Sequence, residues 1–320
     1  MPNNSCFAKL SDKLSGILVV DKPEGMTSHD VVSRARRSLG LKKIGHAGTL
    51  DPFATGVLVL LVGEGTKLSN YLMEGRKTYL ASMKLGEKRD TADLSGEIIE
   101  RAPFDNISLA DVESVLPKFE GEISQLPPMY SALKKNGVPL YKLARKGVEI
   151  ERKQRQVFIE SIRLVDFNSP ILEIEVSCSK GTYVRTLAED IAASLGSCAH
   201  LVKLRRTKSG ALSLNDAISL EDLRSRDKAI QAMTSLADSI ATMSKIVISA
   251  EGVEKIRIGA KLIARWIEEY DLNEDTEDNI VRVLSPEGSL VSICEILTDE
   301  RDYAELSAEL EVGKSIRVFN

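Results

Sequence analysis

Asp51 is the residue of this chain most plainly placed for chemistry. It sits in the run Gly45-His46-Ala47-Gly48-Thr49-Leu50-Asp51-Pro52-Phe53-Ala54-Thr55-Gly56, where the glycines open backbone angles closed to other residues and let a ligand approach closely. Pro52 biases Asp51 toward an extended conformation. The apolar run Val57-Leu58-Val59-Leu60-Leu61-Val62 that follows reads as a buried strand. A carboxylate on a stiff loop at the mouth of a buried element is placed to act as nucleophile or base. It needs a partner: an arginine alongside keeps it ionised and fixes its direction through charge-assisted hydrogen bonds. Arg185 closes Gly181-Thr182-Tyr183-Val184-Arg185, between a strand and a helix start, where a side chain can project into a cleft. Taken alone, an arginine in a first helical turn is more often surface. Tyr79, in Lys77-Thr78-Tyr79, offers an aromatic face and a group for proton transfer, but a lone tyrosine on a strand is more often core. Leu204, ahead of Arg205-Arg206, is equally compatible with plain core.

These side chains need elements to hold them. Residues 16–20 read as a strand closed by the turn residues Asp21-Lys22-Pro23-Glu24-Gly25. Ser28 is suited to cap a helix through Leu39, with Val31, Val32, Ala35 and Leu39 on one face and Gly40 as its stop. Tyr79, Ala81, Met83 and Leu85 alternate along a half-buried strand over 77–85. A polar loop from Gly86 to Gly96 carries Asp90 and Asp93. Asn136-Gly137 signals a hairpin, and Pro139 can open a short helix that stops at Gly147. Residues 171–178 read as a further strand, and Gly181 precedes a helix reaching Leu195 and ended by Gly196. With no regular alternation of strand and helix and no internal repeat, the pattern predicts an α+β protein built on a mixed sheet. Near residue 250 the texture changes. The expected organisation is a loose tail over 1–13, a catalytic domain over 14–250, and a small β-rich domain over 251–320 with strands near 280–284, 290–296 and 315–318.

The chain of 320 residues, 43% apolar, is long enough for about two domains and a sizeable core. No apolar stretch approaches the roughly 20 residues needed to cross a bilayer. The first residues lack the pattern of a signal peptide, and the cysteines at 6, 178, 198 and 294 form no Cys-x-x-Cys, so a reduced, cytoplasmic protein is expected. A net charge of −4 argues weakly against a nucleic-acid partner. Its distribution argues otherwise. Between Lys134 and Arg163 nine basic residues face three acids, a second cluster holds Lys203, Arg205, Arg206 and Lys208, and acids crowd the last fifty residues, among them Asp271, Glu274, Asp275, Glu277 and Asp278. Such a chain can present a basic face to phosphates. No Gly-x-x-x-x-Gly-Lys-Ser/Thr string holds a nucleotide phosphate, and no deaminase zinc motif is present. Cys198 and His200 alone do not make a tetrahedral zinc site. No metal and no organic cofactor is expected.

The loop around Asp51 resembles the Gly-His-x-Gly-Thr-Leu-Asp-Pro-x-Ala-Thr-Gly-Val-Leu signature of the TruB family of pseudouridine synthases. Further strings are similar, in order: Lys22-Pro23-Glu24-Gly25-Met26-Thr27-Ser28, Lys77-Thr78-Tyr79, the run from Gln125 to Lys134, the pattern from Leu140 to Gly147, Gly181 to Arg185, and Leu204 to Gly210. The resemblance covers about residues 14–220, and more loosely a C-terminal domain similar to the PUA-like domain of bacterial members. It implies a pseudouridine synthase fold, with a largely antiparallel central sheet flanked by helices. It implies isomerisation of uridine-55 in the TΨC arm of tRNA by base flipping, performed by a monomer. Asp51 would be catalytic, paired with Arg185, with Tyr79 removing a proton late. Tyr183, Leu204, His46 and Asp90 would line the substrate site. The implied RNA contacts are Lys22, Lys134, Lys142, Arg145, Arg205 and Arg206, several of them in a gripping segment over 125–155. Where the family has Thr or Ser ahead of Asp90, this chain has Arg89. Two other readings share these strings: the guide-dependent subunit of box H/ACA particles, and a non-catalytic protein that binds or folds tRNA.

Overall fold

The computed structural model describes residues 14–131, 133–135, 137–144, 146–272, 279–298, 303 and 306–320. The tail over 1–13, Arg145, and the acids Glu274, Asp275, Glu277 and Asp278 lie outside them.

Fourteen strands build the first part of the chain: β1 (Gly16–Lys22), β2 (Ile44–His46), β3 (Thr55–Val62), β4 (Lys77–Leu85), β5 (Glu87–Arg89), β6 (Ile98–Arg101), β7 (Gly121–Gln125), β8 (Lys134–Lys135), β9 (Val138–Pro139), β10 (Arg155–Asn168), β11 (Ile171–Cys178), β12 (Ala199–Ser209), β13 (Leu212–Ser213) and β14 (Ala217–Ile218). Ten of them form one sheet with the spine β14-β1-β3-β12-β4-β11-β10-β7, β2 lying on β3 and β13 on β12. Only β1–β14 and β3–β12 run parallel; the other pairs are antiparallel. The mixed α+β sheet expected from the pattern is what forms, with the largely antiparallel cast that the resemblance implied. Its core joins Leu58, Leu60, Ala81, Met83, Ile174 and Val176 to Val31, Val32, Leu187 and Ile191 of two helices, Ser28–Leu39 and Val184–Ser194.

The first helix is capped by Thr27 rather than Ser28: the Thr27 hydroxyl accepts from the Asp30 amide and Asp30 answers through the Thr27 amide, a reciprocal box that satisfies two orphan donors. That frees Ser28 for another use. Gly40 ends the helix with φ 69°, as a left-handed C-cap.

A second, six-stranded sheet contains β15 (Lys245–Ile248), β16 (Leu262–Ile263), β17 (Ile267–Asp271), β18 (Ile280–Leu284), β19 (Leu290–Ile296) and β20 (Glu311–Val318). It begins at Lys245, ahead of the boundary expected at 250, because β15 pairs with β17 and β18 and not with any strand of the first sheet. Leu284, Leu290, Ile293 and Phe319 pack on Ile17, Val19, Val57, Val59 and Leu61, so the second sheet covers the face of β1 and β3 opposite the helices. The Lys67 ammonium donates to the Val318 carbonyl at 2.7 Å across this junction. Among the described residues no helix is long and apolar enough to cross a membrane.

Candidate active site

The loop between β2 and β3 is fixed from four sides. Ser28 donates its hydroxyl to the Leu50 carbonyl at 3.1 Å and accepts from the Leu50 amide at 2.9 Å. The Gly25 amide and the Lys22 ammonium both donate to the Pro52 carbonyl, at 2.9 and 3.1 Å. Ala47 donates to Val59. Arg206 reaches from β12 to the carbonyls of Val57 at 2.7 Å and Gly48 at 3.1 Å. The loop also presses directly on β12: a methyl group on Gly56, whose φ is 98°, would lie 2.2 Å from the Arg206 carbonyl oxygen. Only glycine fits there.

On this rigid loop Asp51 keeps about a third of its side chain open (35%), and Arg185 Nη2 approaches its Oδ2 at 3.1 Å while itself only 5% exposed. Arg185 is the second residue of the helix Val184–Ser194. Its remaining donors go to the Tyr130 carbonyl at 2.7 Å, the Thr91 carbonyl at 3.1 Å, and Asp93 Oδ2 at 3.4 Å. Two carboxylates therefore share one buried guanidinium. Burial pushes the Asp51 carboxyl above the ordinary aspartate range; Arg185 pulls it down, Asp93 pushes it up, and Lys22 pulls it down again. Arg185 thus opposes a rise that it does not cancel.

Tyr79 lies half-buried in β4, opposite Arg206 in the β12 register, and a ladder irregularity between Arg206 and Lys208 falls beside it. Irregularities of this kind re-aim side chains next to functional sites. Burial raises the Tyr79 phenol, and the Arg206 guanidinium beside it draws it back down, while Asp51 is near enough to raise it further. Tyr183 is held through its backbone, its amide accepted by Gln125 Oε1 at 3.0 Å, and burial raises its phenol too. Leu204 is buried in the same apolar cluster that Tyr79 and Phe53 border. His46 is half-buried, and burial lowers its imidazole, with Arg206 lowering it further. Asp51, Arg185, Tyr79 and Tyr183, named from separate stretches of sequence, thus lie together: Arg185 pairs with Asp51, and both phenols are near enough to feel the Asp51 charge.

Comparison with known proteins places the chain in a family. Residues 36–184 match the model of the TruB family pseudouridylate synthase N-terminal domain, and 185–247 that of the tRNA pseudouridylate synthase B C-terminal domain. The chain is 41% identical to the tRNA pseudouridine synthase B of Syntrophotalea carbinolica over 96% of its own length and 98% of that protein's, and 46% identical to that of Geobacter sulfurreducens over 77% and 82%. The chain belongs to the TruB family. Its fold is also that of a solved Cbf5-Nop10-Gar1 complex, with a TM-score of 0.76 at 24% identity over 97% of this chain and 86% of that one.

Several residues assigned to RNA from this TruB-like sequence stand elsewhere. Lys22 is fully buried, and its ammonium donates to the carbonyls of Pro23, Met26 and Pro52. Burial lowers it to about 8. It buttresses the Asp51 loop and cannot meet a phosphate. Arg206, 1% exposed, is likewise spent on Gly48, Val57 and Tyr79. Arg205 forms a two-pronged pair with Asp21, at 3.1 and 2.7 Å. Alternation alone would put Arg206 and Lys208 on one face; the ladder irregularity between them breaks it, so Lys208, like Lys203, stays exposed while Arg206 points inward. Asp90 is exposed and accepts from the Glu97 amide at 2.9 Å; the inward acid of that loop is Asp93. Lys142 is exposed, as are Lys135 and Lys146; the Lys134 side chain and Arg145 lie outside the described residues.

Proposed function

We propose that the protein converts uridine-55 in the TΨC loop of tRNA to pseudouridine, acting as a monomer in the cytoplasm without metal or organic cofactor. The observation that carries this reading is the Asp51–Arg185 contact at 3.1 Å, on a loop tied to Ser28, Gly25, Lys22 and Arg206, with Tyr79 alongside. The reaction breaks the N1–C1′ bond, forms a C5–C1′ bond, moves a proton off C5 and leaves one on N1. Atoms and electrons balance within the nucleotide, so the site has to supply only a carboxylate, a proton acceptor and a place for the base. Asp51, held through Oδ2, acts on the sugar or the ring. Tyr79 stacks on the flipped base and takes the C5 proton, Arg206 offsetting the charge on its oxygen. Leu204 and Tyr183 pack around the uracil, and His46 stands where a neighbouring base is displaced. The T stem-loop lies against the exposed lysines of the 125–155 segment. The unpaired thiols of Cys178, Cys198 and Cys294 suit a reducing compartment.

The test uses unmodified tRNA transcript labelled with tritium at uridine C5, with no guide RNA and no second protein. Release of one tritium per tRNA, together with a carbodiimide adduct at position 55, is expected. A transcript carrying cytidine at 55 should release none. Tight binding without tritium release would leave only an RNA-binding or RNA-folding role.

A further inference from the structure

Arg89 is where this chain departs from its family's string, and its side chain has a specific use. It ends β5, and the loop it opens returns to β6 through Asp90-Thr91-Ala92-Asp93-Leu94-Ser95-Gly96. That loop supplies two of the contacts that hold Arg185: the Thr91 carbonyl and Asp93 Oδ2. Its backbone is strained, for Ala92 has φ 57°, the left-handed region that side-chain-bearing residues rarely occupy. Something must hold it there. From inside, Asp93 Oδ1 accepts from the Thr91 hydroxyl at 2.8 Å and the Ser95 amide at 2.9 Å. From outside, Arg89 Nη1 reaches across the loop to the Gly96 carbonyl at 2.7 Å and the Leu94 carbonyl at 3.4 Å. The returning limb has no slack, since a methyl group on Gly96 would lie 2.1 Å from Asp90 Oδ1.

We infer that Arg89 is a positioning residue for the reaction: its guanidinium clasps the returning limb of the 90–96 loop and holds Thr91 and Asp93 against Arg185, which orients Asp51. Arg89 touches neither Asp51 nor Arg185, so it acts through the loop. The alternative use of a half-buried arginine near an RNA enzyme's cleft is a phosphate contact, and the two uses leave different kinetic marks. A phosphate contact contributes to affinity and to its salt dependence. A brace contributes to the rate of the bound complex, because small displacements of an orienting group are felt in the chemical step.

The inference rests on the proposed reaction at uridine, which the wild-type assay in the same experiment tests by itself: a wild type that releases no C5 tritium would overturn that reading, whatever Arg89 does. With an active wild type, Arg89→Ala, Arg89→Lys, Ala92→Gly and Arg89→Ala/Ala92→Gly are compared in single-turnover tritium release at saturating tRNA, and in tRNA binding across salt. Expected for Arg89→Ala is a rate lower by about threefold to tenfold with affinity and salt slope unchanged. Arg89→Lys, still able to donate to the two carbonyls, recovers most of the rate. The double variant recovers part of it, since glycine holds φ 57° without a brace. Two results would overturn the inference: a wild-type rate in Arg89→Ala, or a normal saturated rate with weaker binding and a shallower salt slope. Should Arg89→Ala fail to fold, a comparison of Arg89→Lys with Arg89→Gln on the same readouts decides between the same outcomes.

Discussion

The loop around Asp51 and the stretch from 125 to 155 are both rich in charge, and they use it in opposite ways. Around Asp51 the charged groups are turned inward and satisfied by protein: Lys22 on three carbonyls, Arg206 on two, Arg185 on two carboxylates and two carbonyls. In the basic stretch Lys135, Lys142, Lys146, Lys153 and Arg155 stand exposed, while Arg152 is tied down, to Pro127 and Glu149. A buried charge is tolerated only when its hydrogen-bonding groups are met, so the first set is locked in place and can hold geometry. The second set is solvated, which suits contact with the phosphates of a charged polymer. Residue type does not separate the two uses. Burial and the partners within reach do.

The largest effect in either region is expected at Asp51. Asp51→Asn keeps size and removes the reacting carboxylate, so tritium release should become undetectable while tRNA affinity hardly changes. Turnover above about a hundredth of wild type would break Asp51's assignment, because removal of an essential nucleophile typically costs far more. Arg185→Lys comes next. It keeps the charge but loses the planar fork that reaches Asp51 and Asp93 together. At least about a tenfold fall in single-turnover rate is expected, with binding intact, since one oriented charge-assisted contact contributes roughly 2–4 kcal/mol in such a site. Arg206→Gln sharpens the contrast directly. As a residue that props the loop and faces Tyr79 it should lose at least about tenfold in rate, with the salt dependence of binding unaltered; a shallower slope would return it to the RNA-contacting set.

How much of this was legible beforehand depends on what each feature needed. Strands β1, β4 and β11 and the helix ending at Gly40 follow from period and stop signals that are local. The antiparallel cast of the sheet and the convergence of Asp51, Tyr79, Tyr183 and Arg185 followed from family strings, not from periodicity. What stayed hidden is non-local. The fourteen residues of β10 alternate apolar and polar only in part, because much of the strand is exposed and charged. β15 falls just inside the expected boundary at 250, and its partners, β17 and β18, come later in the chain, so no local signal joins it to the second sheet. Ser28 looked like a cap because serine before an apolar-periodic run is one; its tie to Leu50 depends on a loop twenty-two residues on. Lys22 and Arg206 looked like phosphate ligands because nothing in a sequence announces that a cation will be buried.

A change at Asp93 tests the electrostatics of the inward region. Asp51 must be ionised to act, so the rate should fall on the acid side as its carboxyl takes up a proton, at a pH above the ordinary aspartate value because burial raises it. Asp93 is among the causes of that rise. Asp93→Asn removes the like charge, so Asp51 should stay ionised to lower pH and the acid limb should move down. The plateau should also fall, by about threefold to tenfold, as Arg185 loses one of its two carboxylates. A pH–rate profile of single-turnover release measures both, and an unmoved or upward-shifted limb would mean that Asp93 does not act electrostatically on Asp51.

The smallest effect on rate, and the one that completes the contrast, is expected from the basic stretch. Lys135, Lys142 and Lys146 are exposed, and each lysine that meets a phosphate displaces a condensed counterion. Log affinity should then fall with log salt by about 0.7–0.9 per contact. Changing the three together to Ala should weaken tRNA binding at moderate salt and make the slope shallower by roughly two units. The single-turnover rate at saturating tRNA should stay within about twofold of wild type, since a phosphate contact fixes the RNA's placement but touches no reacting atom. That pattern mirrors Arg206→Gln, which lowers the rate and leaves the slope alone. An unchanged slope in the triple variant would erase the contrast and move RNA recognition to the exposed lysines of β12, Lys203 and Lys208, whose replacement would then have to carry the lost units.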